Sequence, residues 1–90
     1  MSAIKKQTNL KWKHANELTP GGRIVATNWT ATVGKFLLTV TNWPGTSALD
    51  WEITVPGKDW RNSGSESRYE YTVSTLKDKV CRKAEELNAV

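Results

Sequence analysis

The sequence predicts an α+β fold: a three-stranded antiparallel sheet with one C-terminal helix packed on one face, in the order β-β-β-α. Two observations carry this. The stretch Leu49-Asp50-Trp51-Glu52-Ile53-Thr54-Val55 alternates strictly between apolar and polar residues, the period of a strand with one buried face. Further on, Tyr69, Val73, Leu76, Val80, Ala84 and Leu87 recur at spacings of 4, 3, 4, 4 and 3, which line one side of a helix. That stripe is the best apolar cover in the chain for the strand, and 90 residues leave room for one modest core.

The chain reads as a single domain over residues 1–90, in which residues 1–9 form a mobile basic arm, being polar, lysine-rich and without periodicity. Leu10 and Trp12 alternate with Lys11 and Lys13, as a short edge strand or as a tether across the sheet. Thr19-Pro20-Gly21-Gly22 then breaks regular structure. The first full strand runs from Ile24 to Val33, rich in β-branched and aromatic residues, with Val25, Thr27, Trp29, Ala31 and Val33 on one side. Gly34-Lys35 offers a type II′ hairpin turn into a second strand bearing Phe36, Leu38 and Val40. An alternative turn at Thr27-Asn28-Trp29-Thr30 would instead run one strand from Ala31 through Val40; either choice keeps three strands.

Asn42 to Ser47 is a loop by its proline and glycine, the strand at Leu49 follows, and Pro56-Gly57 stops it. From Pro56 to Ser67 only Trp60 is strongly apolar, so this stretch reads as a long loop. Ser67-Arg68-Tyr69-Glu70 has the form of a capping box, which places the helix from Arg68 to about Asn88. A rival fourth strand through Tyr69, Tyr71 and Val73 is disfavoured by that box and by the unbroken stripe.

The candidate chemistry is sparse. One cysteine, Cys81, and one histidine, His14, exclude an internal disulfide and a Cys/His zinc site from this chain alone. Asp50 and Glu52 project from one side of a strand about 7 Å apart, but a half-exposed strand supplies neither the burial nor the neighbours that split a carboxylate pair into acid and base. The glycines serve turns and make no phosphate-binding motif. The expectation is a protein that is not an enzyme, with no metal and no cofactor. No stretch approaches the roughly 20 apolar residues of a membrane span, and Met1 to Lys11 lacks a secretory core, so the expected compartment is the cytoplasm.

Binding is the reading left. Of the five tryptophans, Trp29 and Trp51 sit in strand patterns and read as core. Trp43 and Trp60 lie beside loop residues, where an indole serves either as core or as a partly exposed contact, and the contact reading makes them candidates. Trp60, Arg61, Trp43 and Lys58 are therefore the expected partner-binding residues. The net charge of +4 lies wholly in residues 1–14, because residues 15–90 hold nine basic and nine acidic side chains. This supports a second expectation, nucleic-acid binding through Lys5, Lys6, Lys11 and Lys13 with Lys77 of the helix.

Two resemblances bear on these expectations. Three strands followed by a lysine-bearing helix resemble the double-stranded-RNA-binding fold. That family has a lysine cluster at the start of its last helix and a further helix before the strands, where this chain has Arg68-Tyr69-Glu70-Tyr71 and no such helix. Trp12-Lys13-His14, Leu18-Thr19-Pro20-Gly21-Gly22-Arg23, Trp51-Glu52-Ile53, Ser63-Gly64-Ser65 and the closing Ala84-Glu85-Glu86-Leu87 together resemble small phage and prophage accessory proteins. The resemblance implies a β-β-β-α protein of the class that includes anti-CRISPR inhibitors of host defence. Such a protein would occlude a host protein or nucleoprotein complex in the host cytoplasm, as a monomer or homodimer, without catalysis. The positive balance disfavours mimicry of DNA and leaves protein docking open.

Overall fold

Alternation at residues 49–55 does make a strand, and the stripe that closes the chain does make a helix over it. The computed structural model describes residues 11–88; the expected basic arm, with Lys5 and Lys6, lies outside the described residues. Six elements follow in order: β1 (Lys13–Leu18), β2 (Ile24–Val33), β3 (Phe36–Asn42), β4 (Ala48–Thr54), β5 (Arg61–Ser67) and α1 (Val73–Asn88). Each strand pairs antiparallel with the next, giving a meander in the order β1-β2-β3-β4-β5. The α+β class and the C-terminal helix on one face hold. The three-stranded sheet does not: among the described residues the sheet has five strands.

Both extra strands were hidden for one reason, that neither buries an apolar side. All six residues of β1 are exposed, and β5 reads Arg61-Asn62-Ser63-Gly64-Ser65-Glu66-Ser67 without one large apolar residue. Hydrogen bonding to a neighbour, rather than burial, makes them strands. Of the edge strand or tether expected at Leu10 and Trp12, Leu10 lies outside the described residues and Trp12 precedes β1, which starts at Lys13; the expected loop over residues 56–67 shrinks to a turn followed by β5.

The helix start is also corrected. Ser67 does cap, but it caps a turn: its Oγ accepts from Tyr69 N at 3.1 Å and its carbonyl from Glu70 N and Tyr71 N. The helix opens after Thr72, whose Oγ1 accepts from Thr75 N (3.1 Å) while Thr75 Oγ1 accepts from Thr72 N (2.9 Å). That is a reciprocal box with threonine where the usual motif has a glutamate. Tyr69 consequently leaves the stripe and is 89% exposed.

Register fixes the two faces. Trp29 stands opposite Val40, Val40 opposite Trp51, and Trp51 opposite Gly64, while Leu38 stands between Ala31 and Ile53. This row faces α1, whose Leu76, Val80, Cys81 and Ala84 are buried with Leu38, Val40, Leu49 and Ile53. The turn at Gly34-Lys35 is the one adopted, with φ of 57° at Gly34 and, among the described residues, no positive φ at a non-glycine residue, as type II′ requires at Lys35. A bulge, where Glu17 faces Ala26 but Leu18 faces Ile24, turns Val25 out of the set expected to share a side with Trp29.

On the helix side β5 is held by Glu66, whose Oε2 accepts from Lys79 Nζ at 2.6 Å and from Trp51 Nε1 at 3.3 Å. The Lys79 ammonium, with help from the Trp51 N–H and against the cost of desolvation, keeps the Glu66 carboxyl below its ordinary value of 4.5. A carboxyl depressed in the folded state stabilises fully above its unfolded-state pKa, and that contribution vanishes as pH falls through the folded-state value. Urea unfolding between about pH 5 and pH 3 should therefore show stability falling on acidification, with a shallower slope in Glu66→Gln. Equal slopes would show that the ion pair adds nothing.

Candidate functional site

A concave, largely apolar surface forms at the end of the sheet where the β2–β3 turn, the β4–β5 turn and the C-terminal part of α1 converge. Val55-Pro56-Gly57-Lys58 closes with Lys58 N donating to the Val55 carbonyl at 2.9 Å and Gly57 at φ 85°. Proline followed by a glycine of positive φ makes this a type II turn. It reverses the chain so that Trp60 folds back over Phe36, ring centroids 5.5 Å apart and tilted by 52°. Phe36 is buried beneath, while Trp60 remains 41% exposed. Lys35, Phe36, Val55, Lys58, Trp60 and Leu87 enclose about 520 Å³. The floor is apolar, and the two lysines at the rim are exposed; Lys35 Nζ lies 5.5 Å from the Phe36 ring centre.

The face of the sheet away from α1 is polar. Glu17 accepts from Asn28 Nδ2 (2.7 Å), Asn28 Oδ1 accepts from Thr41 Oγ1 (2.7 Å), and Asp50 accepts from Ser65 Oγ and from Trp43 Nε1 (2.8 Å). Glu52 pairs with Arg61 at 3.3 Å. Asp50 and Glu52 thus share a shallow depression of about 410 Å³ with Thr39, Thr41, Ser63 and Ser65, as acceptors for neighbouring donors. His14 is in β1, across the sheet from β4 and β5, its ring 5.7 Å from that of Trp29. Cys81 is buried, and burial, reinforced by Glu85 and Asp78, pushes its thiol up to about 11; it is no thiolate nucleophile at neutral pH. Among the described residues no group of three or more His, Cys, Asp or Glu is placed to hold a metal ion, and no helix is long and apolar enough to cross a membrane.

The four expected partner-binding residues do not form one patch. Trp60 and Lys58 share the groove. Arg61 points to the polar face, paired with Glu52. Trp43 sits in the β3–β4 loop at the opposite end of the strands, its indole bound to Asp50 and its carbonyl accepting from Arg68. The expected nucleic-acid residues are dispersed as well. Lys11 and Lys13 border the polar face with Thr30, Thr32 and Leu37, whereas Lys77, on the helix side, lies 5.3 and 5.1 Å from the ring centres of Trp12 and Trp29, where burial lowers its pKa.

No protein-family model, curated protein or solved structure matches the chain. The groove itself was partly beyond sequence reading. Lys35, Phe36, Val55 and Leu87 come from three separate parts of the chain and read as turn, core and stripe. The usable signal was positional: Phe36 opens one strand just after a turn, Val55 ends another just before one, and antiparallel pairing brings such ends together.

Proposed function

We propose that the chain is a non-enzymatic binding protein that takes an acidic segment of a partner protein, anchored by an apolar side chain, in the groove at Trp60. The observation that carries this is a single one: a tryptophan 41% exposed over a buried phenylalanine, in an apolar cleft with Lys35 and Lys58 at its rim. Exposed apolar concavities mark interaction sites more than they mark stable surface. Aromatic anchors in such clefts dominate binding, and rim charges set the sign of the partner and the association rate. The resemblance to phage accessory proteins adds the partner's setting: a host protein or nucleoprotein complex, blocked by occupancy in the host cytoplasm. Nucleic-acid binding draws on no comparable convergence, since Lys13 and Lys77 lie on opposite sides of the sheet.

Selection from a random peptide display library tests the reading whatever the natural partner is. Recovered peptides should place Asp or Glu beside an aromatic or aliphatic residue. Trp60→Ala should weaken them by about 30-fold or more, and the double reversal Lys35→Glu, Lys58→Glu should weaken them in a salt-dependent way. Recovery of basic or featureless peptides, or binding indifferent to Trp60, would exclude the groove.

A further inference from the structure

β1 is an edge of the sheet: its inner side pairs with β2 and, among the described residues, no strand pairs its outer side. The β2–β3 hairpin tells which of its backbone groups face out. A two-residue turn makes Val33 and Phe36 a hydrogen-bonded pair. By the period of two, Thr27, Trp29 and Ala31 then bond to β3, and Asn28 and Thr30 direct their amides and carbonyls to β1. Their partners Ala15 and Lys13 spend their own groups inward. His14 and Asn16 present theirs outward.

We propose that this edge joins a second copy of the chain, β1 against β1 and antiparallel, about a twofold axis at Ala15. In that register Lys13 of each copy stands opposite Glu17 of the other, His14 opposite Asn16, and Ala15 opposite Ala15. The outward groups of His14 and Asn16 form the hydrogen-bonded pairs. Lys13 and Glu17 then form the closer, non-hydrogen-bonded pairs, where side chains interact most directly. Glu17 accepts from Asn28 through Oε2, which leaves Oε1 for the lysine.

An edge lysine by itself deters pairing; here each lysine meets a carboxylate. Neighbouring registers weaken this match, since the one remaining opposite-charge pair, Lys11 against Glu17 about an axis at His14, uses a lysine that precedes β1. An axis at Asn16 leaves Lys13 and Glu17 without opposite charges, and an axis at His14 sets imidazole against imidazole. The other edge offers no equivalent, because β5 paired with itself about Gly64 sets Asn62 against Glu66, whose carboxylate already holds Lys79. The contact spans one short strand, well below the standard interface area, so the dimer is a weak one with a continuous sheet and both helices on the same side.

Sedimentation equilibrium from about 5 μM to 500 μM covers the range expected of so small a contact. The expected result is a concentration-dependent rise from monomer to dimer mass. Lys13→Glu and Glu17→Lys should each raise the dissociation constant about tenfold or more, and the double reversal should restore it. Circular dichroism checks that each variant folds. Should a reversal unfold the chain, Ala15→Cys decides instead: mild oxidation should cross-link two copies at the axis, where the close pair suits a disulfide, while Asn16→Cys should link poorly. A monomer at every concentration, or a dimer indifferent to both reversals and not linked through Ala15→Cys, would overturn the proposal.

Discussion

Trp51→Ala is expected to destabilise the protein by about 4 kcal/mol, a large part of what a domain of this size has to lose. Trp51 is 7% exposed at the centre of β4 and stands opposite Gly64. Its indole lies across β5 at that glycine: a Cβ there would come to 3.0 Å from Trp51 Cζ2 and Nε1. Lys83 Nζ sits 6.0 Å above the ring, and the indole N–H meets Glu66. Truncation removes the large ring that covers β5 at Gly64 on the helix side. The glycine makes the test sharp. Gly64→Ala should destabilise the native chain, because the added methyl meets the ring. In the Trp51→Ala background it should stabilise by about 0.5 kcal/mol, because only the glycine's entropic penalty in a strand remains. Chemical denaturation of the four proteins reads this cycle, and additive effects would show that the ring does not pack on Gly64.

Leu76→Ala should cost about 3 kcal/mol, whereas Tyr69→Ala should change stability by less than about 0.5 kcal/mol. Both residues belong to the stripe of spacings 4, 3, 4, 4 and 3, so a helix starting at Arg68 would give both substitutions a cost. Helix α1 starts at Val73 instead; Leu76 is fully buried in its first turns, and Tyr69 is 89% exposed in the turn capped by Ser67. Removing three carbons from beneath α1 leaves a cavity against the sheet. Removing an exposed ring leaves nothing unfilled. Denaturation midpoints with unchanged slopes would confirm the contrast; a comparable loss from Tyr69→Ala would move the helix start back.

These contrasts show what was legible and why. Where an element buries one face, its period is written in residue type, as in Trp51-Glu52-Ile53 and in Leu76, Val80 and Ala84. Ser67-Arg68-Tyr69-Glu70 misled because a capping serine satisfies amides in a turn as well as in a helix. Nothing in four residues says which will follow. Of the candidate site, the loop setting of Trp60 left core and contact equally open, and the fold exposes it. Its separation from Trp43 was not legible, since the two loops leave β4 at opposite ends.

Sequence alone determined the three central strands and the apolar side of the closing helix, because each depends on contacts whose spacing the chain itself carries, and it left the first hairpin open between Gly34-Lys35 and Thr27–Thr30. Tertiary structure alone decided that the polar stretches Lys13–Leu18 and Arg61–Ser67 become strands, and that Phe36, Trp60 and Leu87 meet in one groove. Their backbone hydrogen bonds are satisfied by whichever neighbour the fold provides, and that is independent of their own side chains.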